Sequence, residues 1–445
     1  MMKTILKKAF HRQMSLPMSS VTPFLRRKSL LWLSAALFLP LHADEVETEK
    51  AFIRENMEFA VRQYELMMQQ PTTGNGKNCM PRTMNSSGAL SKTHIYEWTS
   101  GFFPGSLWYL YDFTRQGALA DSARAYMQLL EPVKKYTGNH DVGFMMYCSY
   151  GNALRFAPRP EYKDILVESA RSLCTRFRPQ AGIIQSWNGF RSWHGEQTFK
   201  MPVIIDNMMN LELLFYAAKV TGDEKFRQIA ISHADKTLEN HLRKDYSCYH
   251  VVAYDDQTGR PIKGETAQGY SDNSTWSRGQ AWGIYGFTMT YRETRDKRYL
   301  KAAEKAADFF IHHPNLPSDM IPWWDFNAYQ KGYTPGVRSN ARVFTANYRD
   351  ASAAACVASA LLELSGYVKA KKKQEYLQAA KTILHSLGSE AYRAPYKKNA
   401  YFVLMHSVGS IPHKAEMDVP LVYADYYFIE ALYRYHRILS GQSAL

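Results

Sequence analysis

The sequence predicts an all-α protein, an (α/α)6 toroid built from six helical hairpins. Two observations support this prediction. Beyond residue 43, apolar residues recur at steps of three and four along most of the chain, which is the pattern of amphipathic helices. A weak internal repeat places an aromatic residue at the start of four predicted helices, at spacings of 64, 73 and 77 residues that fit one hairpin plus a loop. These aromatic residues are Tyr162, Phe226, Tyr299 and Tyr376.

The periodicity predicts twelve helices in succession. They lie near residues 52–68, 101–116, 120–136, 144–156, 161–177, 203–219, 223–242, 277–292, 297–313, 350–367, 373–388 and 418–440. Residues 71–95 are predicted to form a long loop, and strand signals are sparse, as at residues 249–254. Twelve paired helices can close into a ring whose loops form a pocket over the axis. An open solenoid remains the alternative, because repeat spacing does not show whether the ends meet.

Residues 1–43 are predicted to be a secretory signal peptide. A basic triplet, residues 26–28, precedes about a dozen mostly apolar residues, and residues 41–43 resemble a cleavage site. The apolar run is too short to span a membrane. We therefore expect a periplasmic or secreted bacterial protein, free of the membrane after cleavage. Residues 44–445 are predicted to be a single domain, because no Pro-rich or Gly/Ser-rich linker divides them. The sequence leaves three possible translation starts, Met1, Met14 and Met18.

Composition narrows the expected partners. The formal net charge is +14, but residues 1–43 contribute seven basic residues and no acidic one, which leaves 48 basic against 41 acidic residues. The rest of the sequence has no Lys/Arg block of the nucleic-acid-binding type, and a mild positive field suits a small anionic substrate. Five cysteines without a C-x-x-C pair predict no disulfide scaffold, and no metal or cofactor is indicated by residue spacing. The oligomeric state is not set by the sequence.

One carboxylate stands in an apolar segment. In the run M-P-V-I-I-D-N-M-M-N-L-E-L-L, residues 201–214, Asp206 is flanked by Ile205, Met208 and Met209. Loss of hydration disfavours the charged form and raises the pKa of such a group, which suits a general acid near neutral pH. Alternatively, Asp206 caps the first turn of a helix, where acidic residues are common. This segment alone does not separate the two interpretations.

A second carboxylate, Asp141, lies in the turn N-H-D-V-G-F at residues 139–144. It could act in catalysis, or it could cap the helix that follows. Trp187 lies in a polar loop before Asp206, where it could either pack against the protein or stack on a sugar ring.

Polar and aromatic residues are concentrated at residues 266–286, T-A-Q-G-Y-S-D-N-S-T-W-S-R-G-Q-A-W-G-I-Y-G. A guanidinium pairs with a planar carboxylate and aromatic faces stack on sugar rings, so Arg278 with Trp276 and Trp282 predicts a receptor for an acidic sugar. The alternative is that Arg278 stacks on Trp as structural packing. His250 and Gln268 could line the same mouth.

Seven motifs follow one another over nearly all of the chain beyond the leader. They are E-W-T-S-G-F-F-P-G (97–105), H-D-V-G-F (140–144), I-D-N-M-M-N (205–210), S-T-W-S-R-G-Q-A-W-G-I-Y-G (274–286), P-W-W-D-F (322–326), D-A-S-A-A-A (350–355) and D-V-P-L-V-Y-A-D-Y-Y-F-I-E-A-L (418–432). In this order they resemble the unsaturated glucuronyl hydrolases, glycoside hydrolase family 88.

The resemblance implies an (α/α)6 barrel and a hydrolysis that begins at a double bond. The substrate would be an oligosaccharide, expected to be glycosaminoglycan-derived, with a 4,5-unsaturated uronic acid left at its non-reducing end by a polysaccharide lyase. Asp206 would donate a proton to C4 and activate the water that adds at C5. Asp141 would be the second essential carboxylate, and the resulting hemiketal would open and release the neighbouring sugar.

The predicted substrate-binding residues are Trp98, His140, Trp187, His250, Gln268, Trp276, Arg278 and Trp282. Among them Arg278 is the candidate contact for the substrate carboxylate, a role inferred from its chemistry.

Two other functions fit parts of this pattern. An unsaturated rhamnogalacturonyl hydrolase acting on pectin fragments would share the toroid and the D-N motif. An exported sugar-binding toroid without catalysis would share the fold alone. The motifs H-D-V-G-F and W-S-R-G-Q-A-W favour the glucuronyl hydrolase, and intact Asp206 and Asp141 argue against a binding protein. Linkage and sulfation preferences are not set by the sequence.

Overall fold

The computed structural model describes residues 28–71, 77–195, 197–337 and 339–445, with side chains from residue 43 onward in these ranges. The chain forms two compact units, Met1–Ala51 and Phe52–Leu445. Helix α1, Lys28–Met68, begins in the first unit. Residues 1–27 of the predicted signal peptide lie outside the described residues, and Ala43 is the one residue of this segment whose side chain is described. No helix in the described part of the chain has the length and apolar character that a membrane span requires.

Inner and outer helices alternate along the larger unit. The inner helices are α2 (Phe102–Thr114), α4 (Val142–Met146) continued through a π turn into α5 (Asn152–Phe156), α7 (Leu211–Thr221), α9 (Ser277–Thr294), α11 (Ala351–Leu364) and α13 (Val422–Leu439). The outer helices are the C-terminal part of α1, then α3 (Gly117–Leu130), α6 (Pro160–Cys174), α8 (Glu224–Asn240), α10 (Lys297–Ile311) and α12 (Ala370–Leu387). The twelve predicted helices are confirmed, with α4 and α5 as one interrupted helix.

The inner helices close a ring. Each packs against the next in chain order, and the last of them, α13, packs against the first, α2. The predicted toroid is therefore confirmed. Every residue of the mostly apolar helix α11 is buried, whereas α10 buries one face only. Close packing at the axis depends on small residues: a Cβ on Gly286 of α9 would lie 2.4 Å from the Met208 Cβ.

Long and short connections lie at opposite ends of the ring. An inner helix passes to the next outer helix through a short turn, as at Gly222, whose φ of 74° ends α7 in the left-handed region. The connections that lead into inner helices are long and carry the described strands. All inner helices therefore begin at one end of the ring, where their positive dipole ends and the long loops are gathered.

The strands form small antiparallel sheets in these loops. Two predictions are corrected here. Residues 71–95 contain the hairpin of β1 (Met80–Met84) and β2 (Leu90–Thr93). The helix predicted at residues 203–219 begins later, because β7 (Met201–Ile204) pairs with β8 (Val251–Tyr254), which pairs with β9 (Pro261–Glu265). All four residues of β7 are buried, and a fully buried strand has no alternating pattern that distinguishes it from a helix.

The remaining pairs are β3 (Phe177–Arg178) with β4 (Ile183–Ile184), β5 (Phe190–Arg191) with β6 (Thr198–Phe199), and β10 (Ser407–Ser410) with β11 (Ala415–Val419). After β7 a 3₁₀ helix, Ile205–Asn210, leads into α7. The strand signal near residues 249–254 is confirmed by β8.

Candidate active site

The predicted site residues converge where the inner helices begin. Asp141 immediately precedes α4, Asp206 lies in the 3₁₀ helix before α7, and Trp276 immediately precedes α9. The central sheet adds His250, because the Ile205 backbone N–H donates to the His250 carbonyl oxygen at 3.0 Å. Segments that are distant in sequence thus meet at one mouth.

The Asp206 carboxyl group is buried, and one of its two oxygen atoms lacks a hydrogen-bond partner among the described residues. The relative exposure of Asp206 is 8%, and the oxygen atom without a partner is Oδ2. Burial raises the pKa of Asp206 to about 7, although the charge of Arg278 favours the ionised form. Asp206 lies in the first turn of the 3₁₀ helix, as the alternative interpretation predicts, but the residue at the N-cap position, Ile204, makes no side-chain capping hydrogen bond.

Asp141 is a second buried carboxyl group. It occupies the N-cap position of α4, but its side chain makes no capping hydrogen bond. Burial raises the pKa of Asp141 well above its usual range, and the charges of Asp206 and Glu97 raise it further, against the opposing charge of Arg176. A charge on Asp206 therefore disfavours the ionised form of Asp141.

Two neutral imidazoles accompany the carboxyl groups. His140 Nε2 lies 3.3 Å from Asp141 Oδ1, and His250 Nε2 lies 3.8 Å from Asp206 Oδ2. Burial lowers the pKa of His140 to about 3 and that of His250 well below its usual range. The His250 Nδ1 atom accepts hydrogen bonds from the backbone N–H groups of Ala267 and Gln268, both at 3.1 Å. The ring proton of neutral His250 is therefore on Nε2, on the side of Asp206.

The structure does not support the predicted contact between Arg278 and a substrate carboxylate. Arg278 is 2% exposed and its guanidinium is already engaged. It pairs with Asp350 at 3.1 Å, donates to the Gln268 Oε1 atom at 2.9 Å and to the Gly409 carbonyl at 2.7 Å, and also donates to the Val408 carbonyl. These bonds occupy both terminal nitrogens, so Arg278 holds the surrounding segments together. They also leave the Gln268 amide with its N–H donors as the groups available to a ligand.

Aromatic rings surround these polar groups. The Arg278 guanidinium lies over the Trp276 ring at 4.6 Å, which agrees with the alternative that Arg278 stacks on Trp. Trp276 and Trp187 both contact the His250 ring, with centroids 4.3 and 6.2 Å away. Trp282 is fully buried, and its indole N–H makes no hydrogen bond to a described residue. The N–H group nevertheless lies close to Asp206 and favours the charged form of that carboxyl group, which lowers its pKa.

An open cavity of about 660 Å3 lies beside this group. Two predicted residues, Trp187 and Gln268, line it together with Trp193 and His413. The half-buried Trp98 lies next to another part of the site, with its ring 4.8 Å from that of Tyr423. Flat aromatic walls and a few directed donors suit a sugar ligand.

Two buried polar atoms of the site region belong to residues that are absent from the predicted binding residues. The hydroxyls of Tyr423 and Ser407 are buried and have no hydrogen-bond partner in the described ranges. Tyr423 lies in the 418–432 motif, and Ser407 is the first residue of β10. The signal that could have identified Tyr423 is its place at the start of an inner helix, shared with the other site residues.

Paired buried carboxyl groups and aromatic rings at the mouth of a closed helical toroid are typical of one class of protein, the helical-toroid glycoside hydrolases. Residues 75–398 match Glycosyl Hydrolase Family 88, and the chain belongs to that family. It is therefore a glycoside hydrolase.

Curated relatives and solved structures agree with this assignment. The chain is 43% identical over 366 residues to an unsaturated glucuronyl hydrolase of Formosa agariphila, which covers 82% of this chain and 86% of the relative. It is 32% identical to an unsaturated chondroitin disaccharide hydrolase of Streptococcus agalactiae, over 77% of this chain and 82% of that one. The crystal structure of an unsaturated glucuronyl hydrolase specific for heparin superposes with a TM-score of 0.79 at 41% identity, covering 87% of this chain and 98% of that chain.

Proposed function

We propose that this enzyme removes a 4,5-unsaturated uronic acid from the non-reducing end of lyase-generated oligosaccharides by hydrating the C4=C5 double bond. One observation carries the proposal: Asp206 is a buried carboxyl group with a pKa of about 7 and an unpaired oxygen atom within the described residues. With a pKa near neutral pH, a large fraction of the enzyme molecules carries this group in its protonated form, which can donate a proton to carbon.

The double bond of this substrate is a vinyl ether, because C5 also carries the ring oxygen. Protonation of C4 by Asp206 places positive charge on C5 and the ring oxygen. Water then adds to C5 and loses its proton to the Asp206 carboxylate, which restores the acid. The C5 hemiketal opens to a ketone with cleavage of its bond to the ring oxygen, and the exposed hemiacetal at C1 expels the neighbouring sugar.

The other polar groups have supporting roles in this proposal. Asp141 raises the fraction of protonated carboxyl in the pair, because both groups cannot readily ionise. The His250 Nε2–H group and the Gln268 amide donors can bind oxygen atoms of the uronic acid. An ordinary retaining or inverting mechanism needs one ionised carboxylate beside one acid, and this pair, with both pKa values raised, is less suited to it.

Glycosaminoglycan fragments are the proposed source of the substrate. One similar structure is named as specific for heparin, and one relative is named as a hydrolase of unsaturated chondroitin disaccharides; heparin and chondroitin are both glycosaminoglycans. The modest excess of basic residues also suits an anionic oligosaccharide.

The reaction is tested with unsaturated disaccharides made by polysaccharide lyases. The ultraviolet absorbance of the conjugated alkene should fall with time, and an uncatalysed control should stay constant. Activity on pectin-derived unsaturated products alone would replace the glucuronyl assignment by the rhamnogalacturonyl one. Binding of the disaccharides without loss of absorbance would identify a sugar-binding toroid. A panel that differs only in sulfate position then defines the preferred fragment.

We also propose that residues 1–43 are a cleaved signal peptide, so that the enzyme acts in the periplasm or outside the cell. The support is the basic triplet, the short apolar run and the small residue at position 43. Expression of the full chain in a bacterial host, followed by fractionation and N-terminal sequencing, should give an exported protein that begins near Asp44. An unprocessed chain confined to the cytoplasm would contradict this proposal.

A further inference from the structure

Three possible metal ligands meet beside the large cavity. His194 lies in the loop between β5 and β6, Glu265 ends β9, and Asp272 lies in the segment that leads to α9. One ligand atom from each residue lies within 4.8 Å of the other two. The closest pair, His194 Nε2 and Asp272 Oδ2, is 2.8 Å apart. The residues come from three separate segments, so their sequence spacing gives no metal signal.

Glu265 carries an oxygen atom that the described residues leave unsatisfied. Its side chain is 1% exposed, and Oε2 has no hydrogen-bond partner there. The other oxygen, Oε1, accepts a hydrogen bond from Ser192 at 3.1 Å. A buried carboxylate oxygen without a partner costs free energy, and a bound cation removes that cost.

One protein cation competes for this carboxylate. The ammonium group of Lys263 contacts Glu265 Oε1, and the Lys263 side chain is 40% exposed. A flexible, partly exposed Lys side chain can turn away into solvent. Without it the cluster carries two carboxylates and one imidazole, which matches a divalent cation in charge and in ligand type.

We propose that His194, Glu265 and Asp272 bind a first-row divalent cation such as Zn²⁺. An imidazole ligand favours Zn²⁺ or a similar ion over Ca²⁺ and Mg²⁺, which prefer oxygen ligands. The Asp272 carboxylate is oriented for this role, because its Oδ1 atom accepts a hydrogen bond from the Thr266 N–H at 3.0 Å.

The cation would join two walls of the substrate cavity. The β5–β6 loop contributes Trp193 to the cavity and the segment after β9 contributes Gln268. These walls already touch, since the Trp193 indole N–H donates to the Ala267 carbonyl at 3.0 Å. A shared cation would hold them at a fixed distance, so it is assigned a structural role beside the site and no part in proton transfer.

Titration of the metal-free, untagged enzyme with Zn²⁺ tests the proposal without any use of activity. Isothermal calorimetry should show one site per chain, and the melting temperature should rise with the Zn²⁺ concentration. His194→Gln should weaken Zn²⁺ binding by at least about tenfold, since it removes a ligand. Lys263→Met should strengthen it, because the competing ammonium is gone.

His312→Gln is the matched control. His312 pairs with Glu375 at 2.8 Å on the outer helices, where the described residues offer no third ligand. This variant should bind Zn²⁺ as the parent does. Lack of a one-to-one site in the parent would overturn the proposal, as would binding that His194→Gln leaves unchanged. Weaker binding in Lys263→Met would show that Glu265 is only the partner of that lysine. None of these outcomes depends on which sugar is hydrolysed.

Discussion

The side chain of Asn210 accepts a hydrogen bond from the backbone N–H of Phe144 at 2.8 Å. This bond joins the 3₁₀ helix that carries Asp206 to the helix that follows Asp141. The two backbones are also in close contact, since a Cβ on Gly143 would lie 2.5 Å from the Asn210 Cα. The relative position of the two candidate carboxyl groups is therefore fixed by backbone contact and one buried amide.

Asn210→Ala should lower kcat by about 10- to 100-fold, because a small displacement of reacting groups is costly. The loss of a buried hydrogen bond should also lower the free energy of unfolding by about 1–3 kcal/mol. Steady-state kinetics and denaturant unfolding measure the two effects. Asn240→Ala, which removes amide hydrogen bonds on outer helix α8, is the control and should leave kcat unchanged. Equal kcat values in both variants would contradict the positioning role.

Asp206→Asn should reduce turnover by about 10²- to 10⁴-fold, since the amide cannot donate a proton to carbon. Binding of the unsaturated disaccharide should persist. Asp425 provides a matched control, because burial also raises its pKa to about 7, yet it accepts hydrogen bonds from the Val403 and Leu404 N–H groups at 2.9 Å. Asp425→Asn should lower stability and leave kcat close to that of the parent. Substantial turnover in Asp206→Asn would remove Asp206 from the proposed mechanism.

Stability should depend on pH through Asp206. Its pKa is about 7 in the folded protein and about 3.9 in an unfolded chain, so the folded state binds more protons between these values. The free energy of unfolding should therefore fall as pH rises from about 4 to about 7. Asp206→Asn removes the part of this dependence that Asp206 contributes, so the variant should be more stable than the parent at pH 8, by about 2–4 kcal/mol. Denaturant unfolding of both proteins at pH 5 and pH 8 measures the difference, and parallel pH profiles would contradict it.

Arg278→Met should destabilise the fold by about 3–5 kcal/mol, because Asp350 is left as a buried, unpaired charge. Arg349→Met is the control. Its partner Asp319, at 2.9 Å, is 33% exposed, so the loss of this pair should cost less than about 1 kcal/mol. Adding Asp350→Asn to Arg278→Met should restore part of the stability. A higher KM with unchanged stability would instead support the substrate contact predicted from the sequence.

Most helices are predictable from the sequence because apolar residues recur at steps of three and four over several turns. The strand β7 was not, because its four residues are all buried and its pairing with β8 joins positions about fifty residues apart. The apolar neighbours of Asp206 draw attention to this carboxyl group in the sequence, but they do not separate a catalytic acid from a helix cap. The environment of Asp206 includes the neutral His250 and leaves the Asp206 Oδ2 atom without a hydrogen-bond partner among the described residues. Tertiary contacts create this environment, so the sequence does not predict it.

Arg278 shows the limit of reasoning from residue type. The sequence indicates correctly that a guanidinium lies among Trp side chains, but an internal carboxylate satisfies it as well as a ligand would. Asp350 caps α11, because one of its oxygens accepts a hydrogen bond from the Ser352 N–H at 3.1 Å. Its second oxygen holds Arg278 across 72 residues of sequence, a pairing that no local pattern reveals.

The contact of α13 with α2 has a consequence for synthesis. The surface of α2 that α13 covers stays exposed during synthesis until α13, which begins at Val422, has been translated, so the ring cannot be completed early. A premature stop before residue 422 would remove α13 and expose the apolar surfaces of its two neighbours, α11 and α2. Such exposed surfaces favour aggregation with other chains. A circular permutant of the larger unit, with its ends joined and a new opening at a short turn, would keep the same pairs of neighbouring helices. It would change which pair of helices is the last to form.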